Sequence, residues 1–244
     1  MHYKVCAMCR IFAIRSTRPL SVRPAFDRLR ALAAEHKDGW GIATFREAGH
    51  HLEHDIQSAE HSLRFDERGH EQTHAMLVHI RLASVGTIHA RNNHPFAADR
   101  WVFMHNGTLK NFEQVREAFD AQIAPEYLTA LRGETDSERC FALFRTYMKQ
   151  TDDVGDALAR VFRTAEAICD ASGEGKRSAM NFVVGDGRRF WAPRRERTLF
   201  ATAGDELASI ASEPLLPDQP WQEVPEDSLV SIDEQLRLTV RPIA

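Results

Sequence analysis

The stretch MCRIFAI, residues 8–14, joins an internal methionine, a cysteine and an apolar run. Residues 9–14 read as a short buried strand, so Cys9 stands at the head of a core element. Such a cysteine can be a small buried apolar residue, a redox partner of Cys6, or a nucleophile that needs a free amino group beside it. The rest of the chain has to choose among these.

A chain of 244 residues, 43% hydrophobic, suits one sizeable domain with a real core. The net charge of −4 with interspersed signs gives no dedicated nucleic-acid or membrane surface. Lys4, Arg10 and Arg15 interrupt the N-terminal apolar stretch, which leaves no signal-peptide core. No window approaches the roughly 18 apolar residues of a membrane span. A soluble, cytoplasmic protein is expected. Cys6, Cys9, Cys140 and Cys169 are too few and scattered for a disulfide framework, so unpaired thiols are expected. The C-x-x-C of Cys6 and Cys9 has no matching second pair with which to hold zinc. Strand alternation puts His50 and His54 on one face and His51 on the other, so these and His61 read as a solvated hairpin. No metal and no cofactor are expected.

Outward from Cys9, residues 21–36 place Phe26, Leu29 and Leu32/Ala33 at helical spacing, with Pro24 near the start. DGWGIATF turns on two glycines into a strand, and HHLEHDI reads as its hairpin partner. AMLVHIRLA (75–83) and RWVFMHNG (100–107) read as further strands. From Asn111 the period becomes helical, with Asn111 and Gln114 in a capping-box pattern. A second helix follows Thr135, with Phe141, Phe144 and Met148 on one side. A third carries the stripe Val154, Leu158, Val161, Phe162, Ala165 and Ile168. After Gly175 come short strands: SAMNFVVG, RRFWAP, ELASIAS, SLVSIDE and LRLTVR. Strands, then helices, then strands predict a layered α+β fold with an antiparallel sheet.

Three stretches carry chemistry. HNG at 105–107 reads by itself as a type I′ hairpin turn, yet a helix rather than a returning strand follows it. A β-to-α turn there exposes N–H donors and a side-chain amide able to hold an oxyanion. GETDSE at 133–138 is a capping box from Thr135 to Glu138, with Asp136 at the first helical position, able to face an ammonium group. In HIRLASVG (79–86), Arg81 lies on an apolar strand and must meet either a carboxylate of the protein or an anionic ligand. His94 in NNHPF (92–96) is held extended by Pro95.

Taken in order, Met8-Cys9-Arg10, HKDGWGIA (36–43), HIRLASVG, NNHPF, MHNGTL and GETDSE resemble the class II glutamine amidotransferases. These are N-terminal-nucleophile enzymes with a four-layer αββα sandwich. The match is to the small stand-alone branch without a synthase domain. NFVVGDG (181–187), IASEPL (210–215) and WQEVPEDSLVSI (221–232) extend it almost to the end.

The resemblance implies that Cys9 is the nucleophile, with its own α-amine as base. Asn106 and the N–H of Gly107 would form the oxyanion hole. Arg81 would hold the α-carboxylate of glutamine and Asp136 its α-ammonium, with Ser84 and His94 also at the substrate. The expected partner is glutamine or a γ-glutamyl small molecule, with a separate protein as a possible ammonia acceptor. Residues 1–8 are then a mis-assigned start or a propeptide, and 9–244 the amidotransferase domain. Fused synthases carry Trp-Ala-Thr-His after the strand arginine, where this chain has Leu82-Ala83-Ser84-Val85. Their Arg-Gly ahead of the Asp-containing turn is Glu35-His36 here. The rival reading is an inactive glutamine-binding scaffold with a blocked N-terminus.

Overall fold

The apolar run after Cys9 does form a strand, β1 (Arg10–Ser21). The computed structural model describes residues 9–243 apart from Ala48, Ser172, Glu174 and Lys176, so the readings placed on Cys6, Met8 and residues 1–8 lie outside it. β1 runs past Ile14 because its polar second half keeps pairing with a neighbour after a register shift between Arg15 and Leu20.

Then follow α1 (Arg23–Leu32), β2 (Trp40–Arg46), β3 (Gly49–Asp55), α2 (Leu63–Arg68), β4 (Gln72–Ile80), β5 (Phe96–Ala98) and β6 (Trp101–Thr108). A helical block comes next: α3 (Phe112–Asp120), α4 (Pro125–Leu128), α5 (Asp136–Met148) and α6 (Val154–Cys169). The chain closes with β7 (Ala179–Gly185), β8 (Phe190–Arg194), β9 (Phe200–Ala203), β10 (Leu207–Ala211), β11 (Gln222–Glu223), β12 (Ser228–Ile232) and β13 (Leu238–Pro242).

The strands form two sheets, ordered β11-β9-β10-β1-β4-β2-β3 and β13-β12-β8-β7-β6-β5. All strand pairs are antiparallel. Three apolar layers hold them. Phe26, Leu29 and Phe65 from α1 and α2 pack on Phe12, Trp40 and Val78 of the first sheet. Ile11, Ala13 and Leu77 meet Val102, Met104 and Val183 between the sheets. Phe141, Phe144, Leu158 and Phe162 cover Phe103 and Phe182 of the second sheet. Helix, sheet, sheet, helix is the four-layer order of the N-terminal-nucleophile fold.

Several local readings change. His105, Asn106 and Gly107 form no hairpin turn: they lie inside β6, where Asn106 faces Asn181 and Gly107 faces Met180 of β7. Pairing with a strand more than seventy residues away outweighs the local Asn-Gly turn preference. Asn111 does precede α3, but in a left-handed conformation (φ 54°) and without a side-chain cap. Its amide reaches instead toward the carbonyl of Cys169 at 3.4 Å. Thr135 caps α5 by accepting from the Glu138 N–H at 3.2 Å. The return half of that box is missing, because the Glu138 carboxylate accepts from the N–H groups of Arg132 and Gly133. β5, β9, β11, α2 and α4 carry too few residues to show a period in sequence.

Candidate active site

Arg10 pairs with Ile80, which sets Cys9 against the residues that follow β4. Its Sγ lies 3.3 Å from both the nitrogen and the oxygen of Leu82, accepting from the first and donating to the second. The start of β1 is anchored from the other side. Ser212 Oγ accepts from the Ile11 N–H at 2.8 Å, the Ser212 N–H donates to the Ile11 carbonyl at 3.0 Å, and Arg10 pairs with Glu213 at 2.5 Å. Burial pushes the Cys9 thiol pKa up, against the Leu82 hydrogen bond and the Arg81 and Arg10 charges that pull it down. The resting sulfur is therefore a neutral thiol, and reaction at it calls for a base.

Asn106 and Gly107 approach Cys9 from the end of β6 in the second sheet. Asn106 is 1% exposed, and its Nδ2 has no hydrogen-bond partner among the described residues. An orphaned buried donor is costly, so it waits for an acceptor. At Gly107 a Cβ would stand 1.9 Å from the Ala179 carbonyl oxygen, so only glycine fits. A recess of ≈ 90 Å³ is lined by Cys9, Ala83, Ser84, Asn106, Gly107 and Arg197, with Leu82 and Thr108.

On its other side Cys9 borders a second recess, whose lining includes Arg81, Ser84, His94, Gly107 and Asp136. The two recesses thus gather every residue chosen from sequence, with Cys9, Ser84 and Gly107 common to both. The second measures only ≈ 20 Å³, room for about one water molecule. An amino-acid head group enters it only if the 82–92 segment or its side chains give way.

Arg81 sits one residue beyond β4, and among the described residues no carboxylate forms an ion pair with it. Its fork donates to the carbonyls of Val85 (3.0 Å) and Thr87 (3.2 Å) and to Asn93 Oδ1 (3.4 Å). The sequence left a protein carboxylate or an anionic ligand as its partner; Asp38 acts on it as a nearby charge without a direct ion pair, and backbone carbonyls take the fork. Asp136 is buried, and its carboxylate accepts from the N–H groups of Leu109 and Ser137, both at 2.8 Å. Ser84 shares a 2.8 Å hydrogen bond with the Thr108 hydroxyl.

A buried set of histidines lies behind this recess. His79 Nε2 donates to the His105 carbonyl at 3.2 Å, tying the two sheets together. Burial drives the His79 pKa down to about 3. His94 packs against His79 with ring centres 4.3 Å apart, and neither of its ring nitrogens has a partner among the described residues. Burial holds its pKa well below the usual value. The peptide bond between His94 and Pro95 is cis. His54, placed on a solvated hairpin by the sequence, is half-buried and donates to the Pro95 carbonyl at 2.9 Å. Among the described residues no His, Cys, Asp and Glu cluster could hold a metal, and no helix is long and apolar enough to cross a membrane.

A larger cavity, ≈ 480 Å³, lies beyond residues 91–93 and is bounded by Pro95, Tyr127 and Phe141, away from Cys9. Size alone would choose it. The convergence of a thiol, an orphaned donor and opposite charges makes the smaller recesses the candidate site. Sequence reading missed Arg197, which lies in a charged run, RRER (194–197), that looks like a solvated turn.

Residues 8–203 match the family model of the class II glutamine amidotransferases. The chain belongs to that family. The Saccharomyces cerevisiae protein named probable glutamine amidotransferase DUG3 is 27% identical over 295 residues, covering 93% of this chain and 82% of its own. A glutamine aminotransferase class-II domain protein from Silicibacter pomeroyi, of known structure, is 25% identical with a TM-score of 0.74. That match covers 97% of this chain and 100% of the other. Glutamine phosphoribosylpyrophosphate amidotransferase from B. subtilis shares the fold, with a TM-score of 0.70 at 15% identity, over 97% of this chain and 49% of that one.

Proposed function

We propose that the protein is a thiol amidohydrolase that cleaves the side-chain amide of glutamine or of a γ-glutamyl amide through Cys9. The carrying observation is Asn106 Nδ2, a buried donor without an acceptor, lining the same recess as the Cys9 sulfur. Arg81 takes the α-carboxylate of the substrate and Asp136 its α-ammonium, which sets the γ-carbonyl at Sγ. The Cys9 α-amine, with an ordinary pKa of ~8, removes the thiol proton as sulfur attacks, against the burial that holds the thiol protonated.

Sulfur then forms a bond to the amide carbon, and the carbonyl π pair moves onto oxygen. That oxyanion is met by Asn106 Nδ2 and the Gly107 N–H. As the C–N bond breaks, the α-ammonium returns its proton to the departing nitrogen, which leaves as ammonia or an amine. Water attacks the thioester, releases glutamate and restores the thiol. A separate protein is one possible acceptor of the ammonia.

This chemistry needs Cys9 at the N-terminus, because an amide nitrogen has no basic lone pair. Translation from Met8 with removal of that methionine, or cleavage of residues 1–8, would free the amine. The burial that keeps the thiol protonated favours the rival, an inactive glutamine-binding scaffold, wherever the amine stays blocked. Glutaminase and γ-glutamyl amide assays on protein begun at Met1 and at Met8, each with its intact mass measured, decide between them. Activity is expected only where the mass shows Cys9 first. Full activity in protein that retains residues 1–8 would sink the free-amine mechanism. Inactivity of every form on every γ-glutamyl amide would support the scaffold.

A further inference from the structure

We infer that the ≈ 90 Å³ recess beside Cys9 is a subsite for a carboxylate on the departing amine, held by Arg197. The inference rests on the amidohydrolase reading above. With Arg81 and Asp136 fixing the head group on one side of Cys9, the scissile nitrogen and whatever it carries point to the other side. There the lining is Leu82, Ala83, small polar residues and one charged side chain, Arg197.

Arg197 differs from the arginines next to it. Arg194 pairs with Glu223 at 2.8 Å, and Arg195 pairs with Asp227 at 2.6 Å. Among the described residues no carboxylate pairs with Arg197, and its Nε is buried without a partner. Its place is nonetheless fixed. Asn181, fully buried and opposite Asn106 in the β6–β7 register, donates to the carbonyls of Arg197 (3.0 Å) and Thr198 (3.1 Å). The Asn181 Oδ1 accepts from the Arg195 N–H at 2.8 Å, and Arg194 Nε also donates to the Arg197 carbonyl at 2.8 Å. The strand that carries the orphaned amide is thus clamped, through its neighbour, to the turn that carries half-buried Arg197 with its unpartnered Nε.

Free glutamine brings nothing to meet this cation, since its leaving group is ammonia. An amide whose nitrogen belongs to an amino acid or short peptide brings a carboxylate, which a planar fork binds in two-point fashion. The substrate class is therefore a γ-glutamyl amide of a carboxylate-bearing amine. Cleavage is the hydrolysis already described: the C–N bond breaks, the nitrogen takes up the proton, and the amino acid or peptide departs.

The test compares kcat/KM for γ-glutamylglycine with that for its uncharged glycinamide counterpart and for glutamine, using protein with Cys9 first. Wild type should favour the carboxylate over the carboxamide by about 10-fold or more, the scale of a charge-assisted hydrogen bond. In Arg197→Gln that ratio should fall close to one, and in Arg197→Lys to an intermediate value. The ratio reads charge recognition and is not moved by a general loss of folded protein. Equal rates on both amides in wild type, or a ratio unchanged in Arg197→Gln, would overturn the subsite. Turnover of glutamine alone would also overturn it while leaving the amidohydrolase reading in place. Inactivity on all three would remove both.

Discussion

The two recesses flanking Cys9 are built on opposite plans. On the Arg81 side the charged groups are already engaged: Arg81 with the carbonyls of Val85 and Thr87, Asp136 with the amides of Leu109 and Ser137. On the Asn106 side the donors are left open, Asn106 Nδ2 and Arg197 Nε both being buried without partners. The first plan suits a head group whose charge is the same before and after reaction. Internal hydrogen bonds keep Arg81 and Asp136 in place at little cost in the resting protein. The second suits charge that only the substrate brings, an oxyanion formed in passing at Asn106 and, on the proposal above, a carboxylate at Arg197. An unsatisfied buried donor costs roughly 1–3 kcal/mol in the resting protein, and that energy is recovered when an oxyanion forms against it.

This contrast is broken most directly at Asn106. Asn106→Ala should lower kcat about 10²- to 10³-fold, the scale of one lost oxyanion donor. Because Nδ2 holds nothing in the resting protein, stability should change by only ~1 kcal/mol or less. A large fall in thermal midpoint with little loss of kcat would mean that Asn106 props the sheets apart and does not serve the reaction.

His79 sits between the two plans, carrying the hydrogen bond that joins the sheets. Its folded pKa of about 3 lies below the ~6.5 of an unfolded histidine. Between these values the unfolded chain binds a proton that the folded chain refuses, so stability rises with pH. The contribution is fully present above ~6.5 and drains away as pH falls toward about 3. At pH 5 this ring alone should have removed about 2 kcal/mol. Thermal unfolding at pH 7 and pH 5 measures the loss, and His79→Gln should reduce that difference, with His94 and His105, whose pKa values burial also lowers, supplying the remainder. An equally steep loss in the variant would move the effect to other groups.

The smallest effect is expected at Arg81. Arg81→Lys keeps the charge but loses the fork that reaches Val85 and Thr87. KM for glutamine should rise about tenfold, with kcat changing less. Unchanged kinetics would remove Arg81 from the head-group site and leave it as a clasp for the 85–87 turn.

The strands that carry the site could be read because they are core strands. Ile11 to Ile14, Met76 to Ile80 and Val102 to Met104 are apolar runs, and burial on both faces of a sheet demands such runs. Helices α5 and α6 announced themselves through Phe141, Phe144, Leu158 and Phe162 at helical spacing, which is what covering a sheet requires. Cys9, Arg81, Asn106 and Asp136 stood out because their side chains do chemistry that a core does not need.

What the sequence determined by itself, then, was which residues carry reactive or charged groups and which segments must be buried, since both follow from side-chain type and local period. Partnership was decided elsewhere. Asn106-Gly107 is strand and not turn because β7 pairs with it, Arg81 makes no ion pair among the described residues because the 82–93 loop offers it carbonyls, and Arg197 enters the recess because Asn181 clamps its turn. Each of these depends on a contact between segments distant in the chain or on the path of a loop. A hydrogen bond made or withheld across such a distance leaves no mark on the local pattern of residues.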